Sequence, residues 1–397
     1  MIMSAEMRRD DESAHQVSLC SLFLAFLRLG VTAFGGPAMV AYIRDLAVRK
    51  RRWLSEEAFA DGVALCQSIP GATAMQTAAY VGLRVRGTGG SLAAFVGFGL
   101  PAFAFMVVLS GVYAISRDLQ PVASAFRGLH VIVVALMANA VATFGRSSIH
   151  NWRDAILACG AATFLLFRGS PILAIVASAA VAALLYRGAT LPMKPAQAGQ
   201  RSGPIMRLVL PATLAGGAAL AALFVANRPL FDLAIVMVKV DLFAFGGGFA
   251  SVPVMLHQVV DVRSWMDSRM FMDGIALGQV TPGPIVITAA FVGYHIAGLI
   301  GAVVATVAIF SPSFLMVSVT VPYFDRMQHA LLFRRALRGV LASFVGLLLA
   351  VTVQFAIAAS WTVLSILLAT AAFVALRFKI DIMWVVLVGA GVSVFVL

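Results

Sequence analysis

One pattern of residues occurs twice in this chain of 397 residues, and this repeat limits its fold more than any other feature. The sequence F-L-R-L-G-V-T-A-F-G-G-P covers positions 26–37, and V-K-V-D-L-F-A-F-G-G-G-F covers positions 238–249. Matched residues lie 211 or 212 positions apart: Arg28 with Lys239, Phe34 with Phe245, Asp61 with Asp273, Gln67 with Gln279, Pro70-Gly71 with Pro282-Gly283, and Arg127 with Arg338. A repeat of this length predicts two halves of similar architecture.

The composition predicts a membrane protein. Hydrophobic residues make up 61% of the chain, charged residues make up 12%, and the mean hydropathy is +0.97. Apolar runs near 91–115, 131–145, 208–226 and 340–360 approach the ~20 residues that a spanning helix needs. Because these runs are continuous rather than alternating, they predict helices in a lipid bilayer and not barrel strands. The net charge of +12 lies mostly in short connections, which argues against a nucleic-acid partner.

We predict an all-α polytopic fold with about thirteen transmembrane helices in two homologous halves of inverted topology. The divisions are a polar cytoplasmic tail (1–17), a first repeat (18–187), a linker with one unpaired helix (188–230) and a second repeat (231–397). Six apolar segments per repeat include 18–43, 58–82, 231–257 and 271–295. An even number of crossings followed by one extra helix inverts the second repeat.

Charge counting leaves one feature of this topology open. With the N-terminus inside, most basic residues fall on inner connections, as the positive-inside rule expects. The basic cluster at 44–52 falls outside. Either this loop is an exception or the first segment does not cross completely.

Glycine and proline interrupt the first two segments of each repeat at matching places. The interruptions are F-G-G-P (34–37), I-P-G (69–71), F-G-G-G (245–248) and T-P-G-P (281–284). Close packing through small residues explains any one of them. Four at corresponding positions favour discontinuous helices that meet near the membrane midplane. Their free N–H groups and helix N-termini suit an oxyanion.

The candidate binding residues follow from this arrangement. Matched cations deep in apolar segments are costly and indicate function, although cations near span ends can also snorkel to the interface. The full set of substrate-binding candidates is Arg28, Phe34, Gly35, Gly36, Pro37, Gln67, Pro70, Gly71, Arg127, Lys239, Phe245, Gly246, Gly247, Gln279, Pro282, Gly283 and Arg338. Asp61 and Asp273 are candidates for a proton or charge relay, with helix capping as the simpler role.

No sequence motif indicates metal binding or nucleotide binding. The six histidines and three cysteines form no local metal pattern, and no lysine is followed by Ser or Thr as a nucleotide-binding loop requires. We therefore expect no metal, no cofactor and no enzymatic activity.

The motifs F-G-G-P, R-R-W-L-S-E-E and Q-S-I-P-G, with their second copies, resemble those of the chromate ion transporter family in its long, two-domain form. The resemblance runs from about Ser18 to the end. It implies a multi-pass protein of the bacterial inner membrane that exports chromate and confers chromate resistance, with sulfate as a related anion. The second copy departs from the pattern at Gly248, where the first has Pro37.

The leading hypothesis is a secondary transporter that exports chromate. The alternatives are a permease for sulfate or another oxyanion, an anion channel and, least favoured, a membrane-embedded enzyme. The sequence leaves open whether the protein is a monomer or a homo-oligomer.

Overall fold

The computed structural model describes residues 17–34, 38–187, 206–321 and 330–396, and these form helices and turns. Most of the predicted tail and linker, as well as Gly35, Gly36 and Pro37, lie outside the described residues. The helices of the first repeat are α1 (Leu19–Thr32), α2 (Ala38–Arg44, continued by a π-helical turn at Asp45–Lys50), α3 (Glu56–Ser68), α4 (Thr73–Ser116), α5 (Gln120–Ser148), α6 (Trp152–Leu166) and α7 (Pro171–Leu185).

Helix α8 (Met206–Ala226) is the unpaired helix between the repeats. The second repeat contains α9 (Arg228–Leu242), α10 (Ser251–Leu256, flanked by a 3-10 turn at Gly248–Ala250 and a π-helical turn at His257–Val262), α11 (Ser268–Val280), α12 (Thr288–Thr320), α13 (Leu331–Ala358), α14 (Val363–Arg377) and α15 (Ile382–Val396). The two π-helical turns stand 212 positions apart, so the repeat extends to local backbone detail.

The chain reverses direction inside α4 and α12. Gly87 and Gly298 have positive φ angles of 61° and 57°, which residues with a side chain rarely adopt. A β-carbon on Gly82 would lie 2.2 Å from the Gly90 carbonyl oxygen, far closer than two residues eight apart in one helix. Each helix is therefore two antiparallel limbs, termed α4a (73–85), α4b (88–116), α12a (288–296) and α12b (299–320).

Helices α3 and α4a form a hairpin, hereafter hairpin 2, and α11 and α12a form hairpin 4. The Tyr80 hydroxyl donates to the Ala58 carbonyl at 3.1 Å, which fixes the limbs of hairpin 2 side by side. A helix of 13 residues, such as α3, is only about 20 Å long, against the ~30 Å of a bilayer core. Segments 58–82 and 271–295, predicted as single crossings, are thus re-entrant hairpins.

The first segment of each repeat also folds back. In hairpin 3 (228–262), Arg263 pairs with Asp232 at 3.0 Å, whereas a straight helix would separate them by about 45 Å. In hairpin 1 (19–50), Trp53 follows the returning limb and stacks on Phe26 of α1, with ring centroids 6.3 Å apart. The predicted thirteen crossings therefore include four segments that enter and leave the bundle on one side.

This folding back accounts for the basic cluster at 44–52. Arg86, at the end of hairpin 2, donates a hydrogen bond to the Val17 carbonyl just before α1. The start of hairpin 1, its end and the end of hairpin 2 consequently lie together. We call this side, where α4b begins, the A face, and the side where α4b ends the B face. The first segment therefore does not cross the membrane completely, which is the second of the two alternatives given for the basic cluster.

The two repeats have opposite orientations. Helices α4b and α12b pack antiparallel: Phe95 near the start of α4b contacts Phe314 late in α12b, with ring centroids 5.2 Å apart. At the other end of α4b, Tyr113 contacts Phe291 in hairpin 4 at 5.3 Å. Hairpins 1 and 2 therefore open to the A face and hairpin 4 to the B face. The expected inverted repeat is confirmed.

The remaining helices are exchanged between repeats. Helix α13 packs against α6 and α7, and α5 packs against α14 and α15. These contacts depend on close approach at glycine: a β-carbon on Gly339 would lie 2.3 Å from the Ser178 carbonyl oxygen, and one on Gly128 would overlap Ser393. Gly128 and Gly339 are matched repeat positions, so one packing arrangement is used twice.

In the described part of the chain, four helical stretches are long and apolar enough to cross a membrane: Thr73–Ser116, Gln120–Ser148, Ile285–Thr320 and Leu331–Ala358. In the first and third, the limb that can cross is the longer one, α4b or α12b. Several shorter apolar helices accompany them. The all-helical, two-repeat membrane architecture with broken helices is confirmed.

Candidate functional site

The tips of the four hairpins meet in the middle of the bundle. Their described residues are 33–34 (tip 1), 69–72 (tip 2), 243–247 (tip 3) and 281–284 (tip 4). The Gly71 N–H donates to the Ala244 carbonyl at 2.9 Å, and the Gly283 N–H donates to the Ala33 carbonyl at 3.1 Å. These two bonds are equivalent under the repeat, and each joins a tip of one repeat to a tip of the other.

Both donors require glycine. Gly71 has a φ of 122° and Gly283 a φ of 117°. A β-carbon on Gly71 would lie 2.2 Å from Ser313 Oγ, and one on Gly283 would lie 2.5 Å from Ala102 Cβ. The proline–glycine pairs at 70–71 and 282–283, predicted as helix breaks, are buried at this crossing.

A buried polar cluster accompanies tip 2. Ser313 Oγ donates to Asp241 Oδ1 at 3.0 Å and accepts the Ala72 N–H at 2.9 Å. Gln76 Nε2 donates to the Pro70 carbonyl at 2.6 Å. At the repeat-equivalent crossing, Gly30 stands for Asp241 and Ala102 for Ser313. One crossing is therefore polar and the other apolar.

Tip 3 presents backbone donors beside further polar groups. Gly246 and Gly247 have φ angles of 92° and 104°, and among the described residues no acceptor takes their N–H groups. Thr73 Oγ1 lies 3.5 Å from the β-carbon position of Gly247. Gln279, one turn before tip 4, is 7% exposed, and its Nε2 has no partner within the described part of the chain.

Asp273 is held by two side chains from the other repeat. Its Oδ2 accepts the Tyr113 hydroxyl at 2.7 Å, and its Oδ1 lies 2.6 Å from His130 Nε2. We call Asp273, Tyr113 and His130 the latch. Capping of α11 falls to Asp267 and not to Asp273, because the Asp267 side chain accepts the Met270 N–H.

The matched acid Asp61 lies in a different setting. It is half-buried, and Leu341 occupies the position equivalent to His130. Ser55, rather than Asp61, caps α3. Of the two acids that the repeat pairs, Asp273 is held by side chains of the other repeat, and Asp61 has no equivalent contact among the described residues.

The same asymmetry extends along α3 and α11. Helix α11 is buried against α5 and α15, whereas within the described ranges α3 packs on its own hairpin and has no comparable contact with α13 or α7. Gln67 on α3 is exposed and its counterpart Gln279 is buried. The bundle is closed along α11 and open along α3.

The matched cations do not converge on the tips. Arg28 and Lys239 lie on exposed faces of α1 and α9, and no ion pair joins either to another described residue. Arg127 is exposed and donates to Ser124 Oγ at 2.7 Å. Phe34 and Phe245 are half-buried beside their tips.

Arg338 is engaged elsewhere. Its guanidinium makes two hydrogen bonds, of 3.0 and 2.9 Å, to the fully buried Asp154 carboxylate, and it lies over the Tyr186 ring at 4.6 Å. This pair attaches α13 to the start of α6 and the end of α7. Its position supports a packing role away from the tips.

Replacing Arg338 with methionine should therefore lower stability, because the Asp154 carboxylate would stay buried without its partner. Loss of one member of such a pair costs about 3 kcal/mol, reduced somewhat here because Arg338 is partly exposed. Thermal unfolding in detergent should show a clearly lower midpoint. Arg127→Met is the matched control at the equivalent repeat position and should unfold near the wild-type temperature. Equal midpoints for both variants would contradict this role.

Sequence reasoning located the tips but missed several groups around them. Ser313, Gln76, Tyr113 and His130 carry no motif. The repeat offset offers one signal that could have found Ser313: it is aligned with Ala102, and Asp241 is aligned with Gly30, so both polar residues are present in one repeat only. Tyr113 and His130 were accessible only from the fold, because their contact with Asp273 joins the two repeats.

Comparisons with known proteins agree with the two-repeat architecture. The chromate transporter family model matches residues 20–184 and again 231–394. An uncharacterised transporter of Methanocaldococcus jannaschii is 40% identical over the whole chain and 99% of its own length. Chromate transport proteins of Pseudomonas aeruginosa and Cupriavidus metallidurans are 32% and 30% identical over 86% and 84% of the chain, each over 82% of the relative's length. No solved structure matches. The chain belongs to the chromate transporter family.

Proposed function

We propose that the protein is a secondary transporter that exports chromate across the bacterial inner membrane and so confers chromate resistance. The observation that carries this proposal is the meeting of four hairpin tips, joined by the Gly71–Ala244 and Gly283–Ala33 hydrogen bonds, in a bundle closed along one hairpin and open along its counterpart. Re-entrant tips at the midplane are a recurrent way to build a substrate site in transporters with inverted repeats. Sulfate, another tetrahedral dianion, is the expected competitor.

The anion site lies between tips 2, 3 and 4. The N–H groups of Gly246 and Gly247 and the Nε2 of Gln279 are donors without acceptors among the described residues, and Thr73 adds a hydroxyl. A dianion with four oxygens would accept these donors, and hydrogen bonds to a charged acceptor contribute about 1.5–3 kcal/mol each. Tip 3 is partly buried, and partial burial strengthens such interactions relative to bulk water.

The closed and open sides fit alternating access. The basic segments 44–52, 84–86 and 146–153 belong to the A face, and the positive-inside rule assigns that face to the cytoplasm. The open path along α3 then leads from the cytoplasm to the tips, and the latch closes the path to the outside. Exchange of these states would release the anion outside. Asp61 and Asp273 would alternate between free and latched environments and so act as the charge relay of the cycle.

The membrane potential is sufficient to drive export. A potential of 100 mV is worth about 2.3 kcal/mol per charge, and a dianion leaving a negative interior gains about twice that amount. No nucleotide is needed.

Transport by purified protein in liposomes tests the proposal. With an imposed potential, labelled chromate should move with saturable kinetics, and unlabelled sulfate should compete. Currents that do not saturate, measured by electrophysiology on the same preparation, would instead establish a channel. Sulfate transport without chromate transport would make the protein a sulfate permease.

The exposed cations should affect substrate capture. We expect Arg28→Ala and Lys239→Ala to raise the KM for chromate about tenfold with a smaller change in kcat, since a cation outside the tips attracts a dianion before it binds. Lys50→Ala, which removes an exposed surface cation, is the control. An unchanged KM in both variants would remove Arg28 and Lys239 from the transport path.

A further inference from the structure

Asp241 is a buried carboxyl group that binding of the anion does not use. It is fully buried in the last turn of α9, where its Oδ1 accepts the Ser313 hydroxyl. Its Oδ2 has no hydrogen-bond partner among the described residues. A buried carboxylate oxygen without a hydrogen-bond partner lowers the stability of the folded state, and binding of a ligand or a proton would remove this cost.

A second unpartnered acceptor lies in the same cluster. Gln76 is also fully buried, and its Oε1 has no partner in the described part of the chain, although its Nε2 donates to Pro70. Ser313 Oγ and Gln76 Nε2 both flank Gly71, at 2.2 and 2.5 Å from its β-carbon position. Among the described buried side chains, this point of tip 2 has two acceptors without a partner, Asp241 Oδ2 and Gln76 Oε1, and no donor without one.

No charged group among the described residues pairs with Asp241. Lys239 is on the same helix but points to its exposed face. Helices α12, α8 and α10 pack against α9, and α4 begins beside Asp241, after Ala72. Their titratable side chains in described positions are Tyr294 and His295 on α12, His257 and Asp261 beyond α10, and Tyr80, Arg84, Arg86 and Tyr113 on α4. None of these has a hydrogen bond or ion pair to Asp241 among the described contacts. Neutrality must therefore come from a bound cation.

A proton fits this cluster better than a metal ion. The Ser313 hydroxyl is already committed, because it donates to Asp241 and accepts from Ala72. The remaining free acceptors are few, whereas hard metal cations require many oxygen ligands. A hydrogen on Oδ2 converts the carboxylate into a donor, which is the group that the cluster lacks.

We propose that Asp241 binds one proton in each transport cycle and is the coupling-ion site of the transporter, an inference that rests on the proposed function. The proton adds to Oδ2 from one side of the membrane and leaves to the other, with no change of oxidation state. Because Ala72 is bonded through Ser313 to Asp241 and Gly71 is bonded to tip 3, the charge on Asp241 acts on the contact between tips 2 and 3.

The repeat fixes the number of these sites. At the equivalent crossing Gly30 replaces Asp241, and a β-carbon there would already lie 2.5 Å from the Phe98 carbonyl oxygen. Ala102 replaces Ser313. The described residues of the equivalent crossing therefore form no second site of this kind.

Infrared difference spectroscopy of the purified full-length protein, without chromate, tests proton binding directly. The carbonyl-stretch band of protonated carboxylic acids should grow as the pH is lowered, and the component that belongs to Asp241 should be missing from Asp241→Asn while the components of the other acids remain. Asp118→Asn, which alters an exposed carboxylate, should keep the component that Asp241→Asn loses. Ser313→Ala should retain the band but move it in frequency and in pH, because Oδ1 loses its donor. Difference spectra of Asp241→Asn that contain every component of the wild-type band would overturn the proposal.

Transport in liposomes tests coupling. At clamped potential, one proton per anion predicts that a gradient of one pH unit changes the final chromate ratio about tenfold. Asp241→Asn should still transport chromate under a potential but lose the response to pH. A wild-type response to a sodium gradient and none to pH would overturn the proposal. If wild-type protein moves no chromate, the proposed function fails, and the infrared band alone then decides whether Asp241 is a proton site.

Discussion

Replacing Gly71 with alanine is expected to abolish chromate transport in liposomes while leaving the protein folded. The new β-carbon would overlap Ser313 Oγ and Gln76 Nε2, and alanine does not readily adopt the φ of 122°. Strain and overlap of this kind cost about 2–5 kcal/mol together. Tip 2 would be displaced from tip 3, and the Gly71–Ala244 hydrogen bond would be lost.

Two companion variants sharpen this test. Gly283→Ala meets the same conditions at the repeat-equivalent tip, with Ala102 as its obstacle, and should fail in the same way. Gly216→Ala is the control, because nothing lies within 4 Å of its β-carbon position on α8. Size-exclusion chromatography separates loss of transport from loss of folding. Wild-type transport rates in Gly71→Ala would show that the contact between the tips is not needed.

Breaking the latch should open the closed side of the bundle. In Asp273→Asn the charged acceptor of the Tyr113 and His130 contacts is lost while the size of the side chain is kept. A hydrogen bond to a charged group contributes about 1.5–3 kcal/mol, equivalent to a population change of roughly ten- to a hundredfold. We expect the state in which the path along α11 is open to the outside to become more populated by that factor.

Thiol labelling measures this opening. After replacement of the native cysteines Cys20, Cys66 and Cys159, a cysteine at Ala276, which is buried on α11, should react slowly with a membrane-impermeant reagent added outside. Asp273→Asn should accelerate the reaction ten- to a hundredfold. Asp61→Asn, the same change at the unlatched position, should leave the rate unaltered. Equal rates in all three proteins would eliminate the latch as the closing contact.

The sequence repeat anticipated much of this arrangement because each tip needs glycine or proline for its backbone. The offset of 211 or 212 paired Gly71 with Gly283 and Asp61 with Asp273, and the first pair makes equivalent contacts. The offset changes between positions 36 and 53 and again between 71 and 82, next to tips. Irregular backbone tolerates an inserted residue where a packed helix does not.

The re-entrant hairpins could not be predicted from apolar length alone. Segment 58–82 has the length of one crossing, and hydrophobicity does not reveal whether its two limbs continue or fold back. The reversal depends on Gly87 and on the close approach of Gly82 to Gly90, which are contacts in three dimensions. The latch was hidden for a related reason, since Asp273 meets Tyr113 and His130 only after the repeats assemble.

The exchange of helices between the repeats has a consequence for biogenesis. Helix α5 emerges early from the ribosome, but the helices that cover it, α14 and α15, are the last of the described helices to be made. Until then its packing face must be shielded by lipid, by the insertion machinery or by a chaperone. Removal of α14 and α15 would therefore damage the N-terminal half, and quality control of this protein has to wait until both helices have been made.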